Sequence, residues 1–255
     1  AYGVIAVLLL GKLYNSEAIL FGDGTGDIQI FERRSNMRKG GVPSVGDACL
    51  ALPIVLVLMI YVGGFASTKG MLTGLFATQG IVAGVPVLMT LYTKKDWKKT
   101  FRIRLCRPGF FVGGIFLILG AIALGMIVTS ITSVLFPNSA DAMATSMDEI
   151  YRMGYGARIL IVALLPAVCE ELLFRGFLYS SFEARMTQGK AIVLVSVIFG
   201  LYHMNVVQST TTVVIGLAIC YLSAQSESLL PGVLMHFLNN ALSVTLTFYS
   251  DVVSK

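Results

Sequence analysis

Six residues in this chain have the types and spacing for hydrolytic chemistry: Glu170, Glu171, Arg175, His203, His236 and Asn240. Each stands in an otherwise apolar stretch, and His203 and His236 are the only histidines in the chain. An ionisable group inside a membrane span costs several kcal/mol and marks a functional site by default. Glu170 with His203 has the parts to hold and deprotonate a water. An imidazole N–H from His236 and an amide N–H from Asn240 have the parts to stabilise the oxyanion of a tetrahedral intermediate. His236 and Asn240 are four apart and share one helix face. No chain nucleophile is required. Ser180, Ser181 and Cys169 are nearby alternatives, but none has a histidine at a telling spacing.

Glu171 and Arg175 are also four apart and are expected to pair, since a buried carboxylate and guanidinium tolerate a low-dielectric setting far better together than alone. That leaves Glu170, turned about 100° away, for other work. Pro166 removes a helical N–H four residues earlier, a break tolerated in a membrane where backbone lines a cavity or is covered by protein. Each residue also has an ordinary reading: a lone buried histidine more often packs than catalyses, and Glu171 with Arg175 reads as a structural pair. Asn239 beside Asn240 is ambiguous, and the i+4 relation to His236 favours Asn240. Taken together, five costly ionisable residues in three apolar segments need a shared polar cavity.

The elements that must position them are membrane spans. Of 255 residues 56% are hydrophobic and 13% charged, with mean hydropathy +0.80, against about 25% charged in soluble domains. The fold class expected is all-α, a polytopic transmembrane helical bundle of about seven to eight spans. A span needs about 20 apolar residues. Residues 48–68, 70–93 and 108–140 qualify, the last being longer than needed and expected to tilt or to end in an interfacial turn near Pro137; 157–183 carries Glu170, Glu171 and Arg175, and 191–226 suffices for two spans with the turn between them marked by 203–205 and 208–210. Residues 228–250 make the last full span and carry His236. The run 1–10 is apolar without a preceding basic region and reads as the end of a further span that begins before Ala1.

The net charge of +5 marks cytoplasmic loops rather than nucleic-acid binding. Residues 94–107 hold seven basic residues against Asp96, and Arg33, Arg34, Arg38 and Lys39 crowd the segment before the first full span. Both basic loops, 12–47 and 94–107, are expected on the cytoplasmic side. Arg102, Arg104 and Arg107, interleaved with Phe101, Ile103 and Leu105, read either as an interfacial strip or as a solvated loop. Residues 141–155 read as a short surface helix. Cys49, Cys106, Cys169 and Cys220 read as free thiols.

At these residues the chain resembles the CPBP family, the CAAX-protease and bacteriocin-processing group also called Abi proteins. Glu170-Glu171-Leu-Leu-Phe-Arg175 is similar to the family's EExxxR motif, Phe199-Gly-Leu-Tyr-His203 to its FxxxH motif, and His236-Phe-Leu-Asn239-Asn240 to its third motif. The resemblance covers roughly 48–250, giving a protease-like domain over 48–255 and, over 1–47, the end of a preceding span with a linker. It implies that Glu170 activates water with His203 as partner, that His236 and Asn240 form the oxyanion site, and that Glu171 and Arg175 support the geometry. HExxH is absent, and the reading is metal-independent with zinc as the runner-up.

Residues 11–21 resemble the tail of an ABC-type exporter permease, which some family members carry fused to such a domain. The partners implied are membrane lipid, a prenylated protein or a leader or pheromone peptide, and an ABC permease or ATPase, in the plasma membrane. Two other functions stay open. One is a non-catalytic immunity or scaffold protein. The other is transport, either through a proton or cation relay, which calls for two related halves that the sequence does not contain, or as the membrane part of an exporter.

Overall fold

The computed structural model describes residues 28–139 and 153–253, and every regular element among them is helical. The expected end of a span at 1–10, the permease-like stretch and most of the surface helix at 141–155 lie outside the described residues. The chain divides into two compact units, Ala1–Arg104 with Leu172–Ala191, and Leu105–Glu171 with Ile192–Lys255.

In the first unit, α1 (Val45–Ser67) and α2 (Met71–Tyr92) form an antiparallel hairpin. Ser44 caps α1, its hydroxyl accepting from Asp47 N–H at 3.0 Å. Asp47 in turn accepts from the N–H groups of Gln29 and Ile30, at 2.8 and 3.2 Å, which ties the preceding segment to the start of α1. A short helix, α3 (Trp97–Thr100), follows α2, with Asp96 as its N-cap. The core of this unit comes from Leu172–Leu178 and Tyr179–Glu183, where Leu173, Phe174, Phe177, Leu178, Tyr179 and Phe182 are all buried, as are Leu52 and Phe101. The basic loop closes onto this core. Arg102 pairs with Glu183 at 2.6 Å and lies over the Tyr179 ring at 4.7 Å, while Tyr179 donates to Glu183 at 3.0 Å.

In the second unit, α4 (Gly109–Leu135) buries only Gly114, Ile118, Ala121 and Gly125, a stripe at 4-3-4 spacing. The small residues let it approach α7 (Val206–Ser226) closely; a Cβ on Gly125 would stand 3.2 Å from Thr211 Cγ2. Ile118, Ala121, Ile215, Ile219, Leu222 and Met235 make the apolar cluster between α4, α7 and α8 (Leu229–Val253). The Thr129 and Thr211 hydroxyls bond across the α4–α7 seam at 2.5 Å. The remainder of α4 exposes large apolar side chains such as Phe116 (73%) and Val134 (81%), as a lipid-facing helix must.

Among the described residues five helices are long and apolar enough to cross a membrane: Val45–Ser67, Met71–Tyr92, Gly109–Leu135, Val206–Ser226 and Leu229–Ser250. The other two stretches expected to span take different forms. Residues 155–183 are helical throughout, but α turns alternate with π turns at Ile159–Leu164 and Leu172–Leu178. Pro166 accounts for the first, because its ring crowds the carbonyl four residues back and a widened turn relieves the clash. The segment Leu165–Glu171 between the π turns is α5. Helix α6 (Gln188–Leu201) has 14 residues, about 21 Å long, against a hydrocarbon core of about 30 Å.

Candidate active site

Three elements of the second unit carry the polar cluster. Helix α5 ends in Glu170 and Glu171, the turn after α6 carries His203, and α8 carries His236, Asn239 and Asn240. The α6–α7 turn falls at 202–205, at the first of the two tripeptides expected to mark it; residues 208–210 lie inside α7. Asn205 makes the turn by accepting from Gln208 N–H at 3.1 Å and donating to the Ser139 carbonyl at 2.8 Å. Gly200 makes the crossing possible, since a Cβ there would stand 2.7 Å from the Ser209 carbonyl of α7.

His236 lies between the two glutamates. Its Nδ1 is 2.9 Å from Glu171 Oε1 and its Nε2 is 3.8 Å from Glu170 Oε2. The Glu171 side chain is fully buried, that of His236 is 6% exposed, and that of Glu170 is 15% exposed. A carboxylate only accepts, so His236 Nδ1 is the N–H that donates to Glu171, and Nε2 is the nitrogen turned toward Glu170. A gap of 3.8 Å exceeds direct hydrogen-bond length. Gly232, one turn before His236, makes room for Glu171: a Cβ on it would lie 3.1 Å from Glu171 Oε2 and 2.3 Å from Ser223 Oγ. Gly232→Ala is therefore expected to displace the Glu171 carboxylate and reduce kcat about tenfold with little change in KM. Steady-state kinetics of the variant, with Gly232→Ala/Ser223→Gly as a partial rescue, check this.

His203 is fixed differently. Its Nδ1 is 2.9 Å from the Phe199 carbonyl of its own helical turn. A carbonyl is also only an acceptor, so in the neutral ring Nδ1 carries the proton and Nε2 the lone pair, the form a base needs. The Phe199 ring stands edge-on to both imidazoles, 5.1 Å from His203 and 5.7 Å from His236. His203, His236, Asn239 and Asn240 all line one cavity of about 290 Å³, with Thr129, Gln208, Thr211, Thr212 and Ser243 as further polar walls and Ile122, Met126, Val207 and Ile215 as apolar ones. Glu170 and Glu171 are not among its walls and bear on it through His236. Asn239 Nδ2 donates to Asn240 Oδ1 at 3.1 Å, which leaves the Nδ2 donors as the end of Asn240 suited to an oxyanion.

Arg175 is fully buried in the first unit, within the Leu172–Leu178 π turn. Sequence reasoning did not anticipate Asn239 on the cavity wall or Glu171 as the acceptor for His236. The signal available for the latter was Gly232, which shares a helix face with His236. Among the described residues no three His, Cys, Asp or Glu side chains are placed to hold a metal ion. Both glutamates converge on the His236 ring rather than on a common point. Each glutamate thus faces a different nitrogen of His236, and no step below passes through a metal.

The model of the Rce1-like family, type II CAAX prenyl endopeptidase Rce1-like, matches residues 154–242. Residues 154–242 belong to the CAAX protease family. The matched stretch is a little over a third of the chain, and it contains Glu170, Glu171, Arg175, His203, His236, Asn239 and Asn240. No curated protein and no solved structure gives a significant match. With the apolar helices, the CAAX protease domain makes this an integral membrane protein of the endopeptidase class.

Proposed function

We propose that the chain hydrolyses a peptide bond close to the membrane surface with a water activated by Glu170 and His203. His236 Nε2 and Asn240 Nδ2 donate to the oxyanion of the tetrahedral intermediate. The observation that carries this reading is the way each donor is held from behind: Glu171 engages His236 Nδ1, and Asn239 engages Asn240 Oδ1. Preorganised donors of this kind are worth about 10²–10³ in rate each. Glu171 also balances positive charge on His236 when Nε2 carries a proton. Glu170 takes up the proton released by the water, which His203 Nε2 holds through its lone pair, and returns one to the leaving amine.

The substrate is a peptide with an apolar character, either a prenylated C-terminus or a leader or pheromone peptide handled by a linked exporter. The cavity that His203 and His236 share has both an apolar wall and a row of hydroxyls and amides suited to an extended peptide. The protein acts in the plasma membrane, with residues 94–107 on the cytoplasmic side.

A scaffold role is the second reading. It is favoured by one observation: both glutamates stand off the cavity wall and bear on His236, as they would in a purely structural polar cluster. Purified protein in detergent, offered a prenylated reporter peptide and a set of leader-like peptides, separates the two readings. Cleavage unaffected by a strong chelator is the expected result. Loss with chelator and recovery with zinc would contradict the metal-free mechanism. Cleavage of no peptide, with full cellular function in Glu170→Gln, would favour the scaffold.

A further inference from the structure

Residues 32–39 and 94–99 together place eight cations against Glu32 and Asp96. The fold of the first unit brings these two segments side by side. Gly40 N–H donates to the Lys94 carbonyl and Asp96 N–H to the Gly41 carbonyl, both at 3.0 Å, and the Lys94 ammonium reaches the Arg34 carbonyl. The Asp96 carboxylate is turned to the N-terminus of α3, where it accepts from Lys99 N–H. The Lys95 ammonium is held below the usual lysine range, by burial first; Asp47 and Glu32 oppose the shift and Arg38 adds to it. Arg38 and Lys95 therefore sit in one electrostatic neighbourhood, while Arg38, Lys98 and Lys99 are exposed to surroundings.

Position decides what such a surface meets. The first segment leads into α1 at Val45 and the second leaves α2 at Tyr92, and both helices are long and apolar enough to span a membrane. The surface thus lies at the paired ends of two spans, at the level of lipid headgroups. Two exposed aromatics flank the cations, Phe31 (78%) and Trp97 (38%). Trp97 is braced on the buried Phe101 ring, with centroids 4.5 Å apart. Aromatic rings beside cations are the side chains that suit the membrane–water boundary.

We propose that the surface formed by residues 31–39 and 94–99 binds the headgroup phosphates of anionic phospholipids and holds that end of the α1–α2 hairpin against a negatively charged leaflet. Each Lys or Arg close to such a leaflet strengthens binding about fivefold. An acidic protein segment would match the charge but would give no reason for Phe31 and Trp97 to stand exposed at the helix ends. None of the residues assigned to peptide cleavage lies on this surface, so lipid binding there is separable from catalysis.

Trp97 is the only tryptophan in the chain and reports on the surface directly. The protein is placed in phosphatidylcholine nanodiscs that contain a low, equal mole fraction of acyl-brominated phosphatidylglycerol or acyl-brominated phosphatidylcholine. The expected result is several-fold greater quenching of Trp97 by the brominated phosphatidylglycerol at low salt, with the excess shrinking at high salt. The excess disappears in Arg38→Gln/Lys98→Gln/Lys99→Gln and persists in Arg38→Lys/Lys98→Arg/Lys99→Arg, with unchanged melting temperatures showing that both variants fold. Equal quenching by the two lipids at low salt, or an excess that survives in the glutamine variant, would overturn the proposal. A Trp97 emission shift with a poly-glutamate peptide but no excess with phosphatidylglycerol would overturn it in favour of an acidic partner.

Discussion

Glu170→Gln is expected to lower kcat for peptide cleavage about 10³-fold while leaving the melting temperature nearly unchanged. The size follows from the chemistry: a positioned general base contributes about 10²–10⁴ in rate. Glutamine keeps the volume and the hydrogen-bonding capacity of the side chain and loses only its basicity. Glu170 is the partly exposed member of the pair, and its Oε2 stands 3.8 Å from His236 Nε2. The check is steady-state kinetics beside a thermal melt of the same preparation. Full activity in Glu170→Gln would remove this residue from the mechanism.

Glu171→Ala is expected to damage stability and turnover together. The mutation strands His236 Nδ1–H in a buried setting, and an unsatisfied buried donor costs about 1–3 kcal/mol. The loosened imidazole also no longer presents Nε2 in one orientation, so kcat should fall about 100-fold with KM little changed. Glu171→Gln retains an acceptor oxygen without the charge. It should recover most of the stability but only part of the rate. Thermal melts and kinetics on the pair of variants read this directly. A destabilised Glu171→Ala that keeps its full kcat would mean that Glu171 serves packing alone.

The parts of this site were legible because they violate the composition around them. Glu170, Glu171, His203 and His236 stand out in apolar segments, and each lies in a helix or, for His203, in the turn that ends one. Their partnerships were not legible. Glu171 meets His236, 65 residues away in sequence, through a space that Gly232 leaves open. A contact of that separation is set by how α5 meets α8, which no local periodicity encodes.

Hydropathy was equally informative about class and uninformative about detail. It located α1, α2, α4, α7 and α8 to within a few residues, because about 20 consecutive apolar residues leave little alternative. The apolar run to 140 is longer than a span needs, and α4 ends at Leu135, just before Pro137, one of the two outcomes expected of it. Hydropathy also gave 191–226 room for two full spans, although Asn205 caps the second helix early and leaves α6 with 14 residues. The cavity walls contributed by Thr129 and Gln208 carry no motif at all. They are ordinary polar residues until α4 and α7 pack together.

The most direct test of glutamate-activated hydrolysis is mass-spectrometric detection of cleavage in reconstituted membranes. Wild type and Glu170→Gln would be run side by side on the prenylated and leader-like peptides, with chelator present throughout. The mechanism predicts one defined new peptide terminus with wild type and none above background with the variant. The same products at the same rate from both proteins would contradict it.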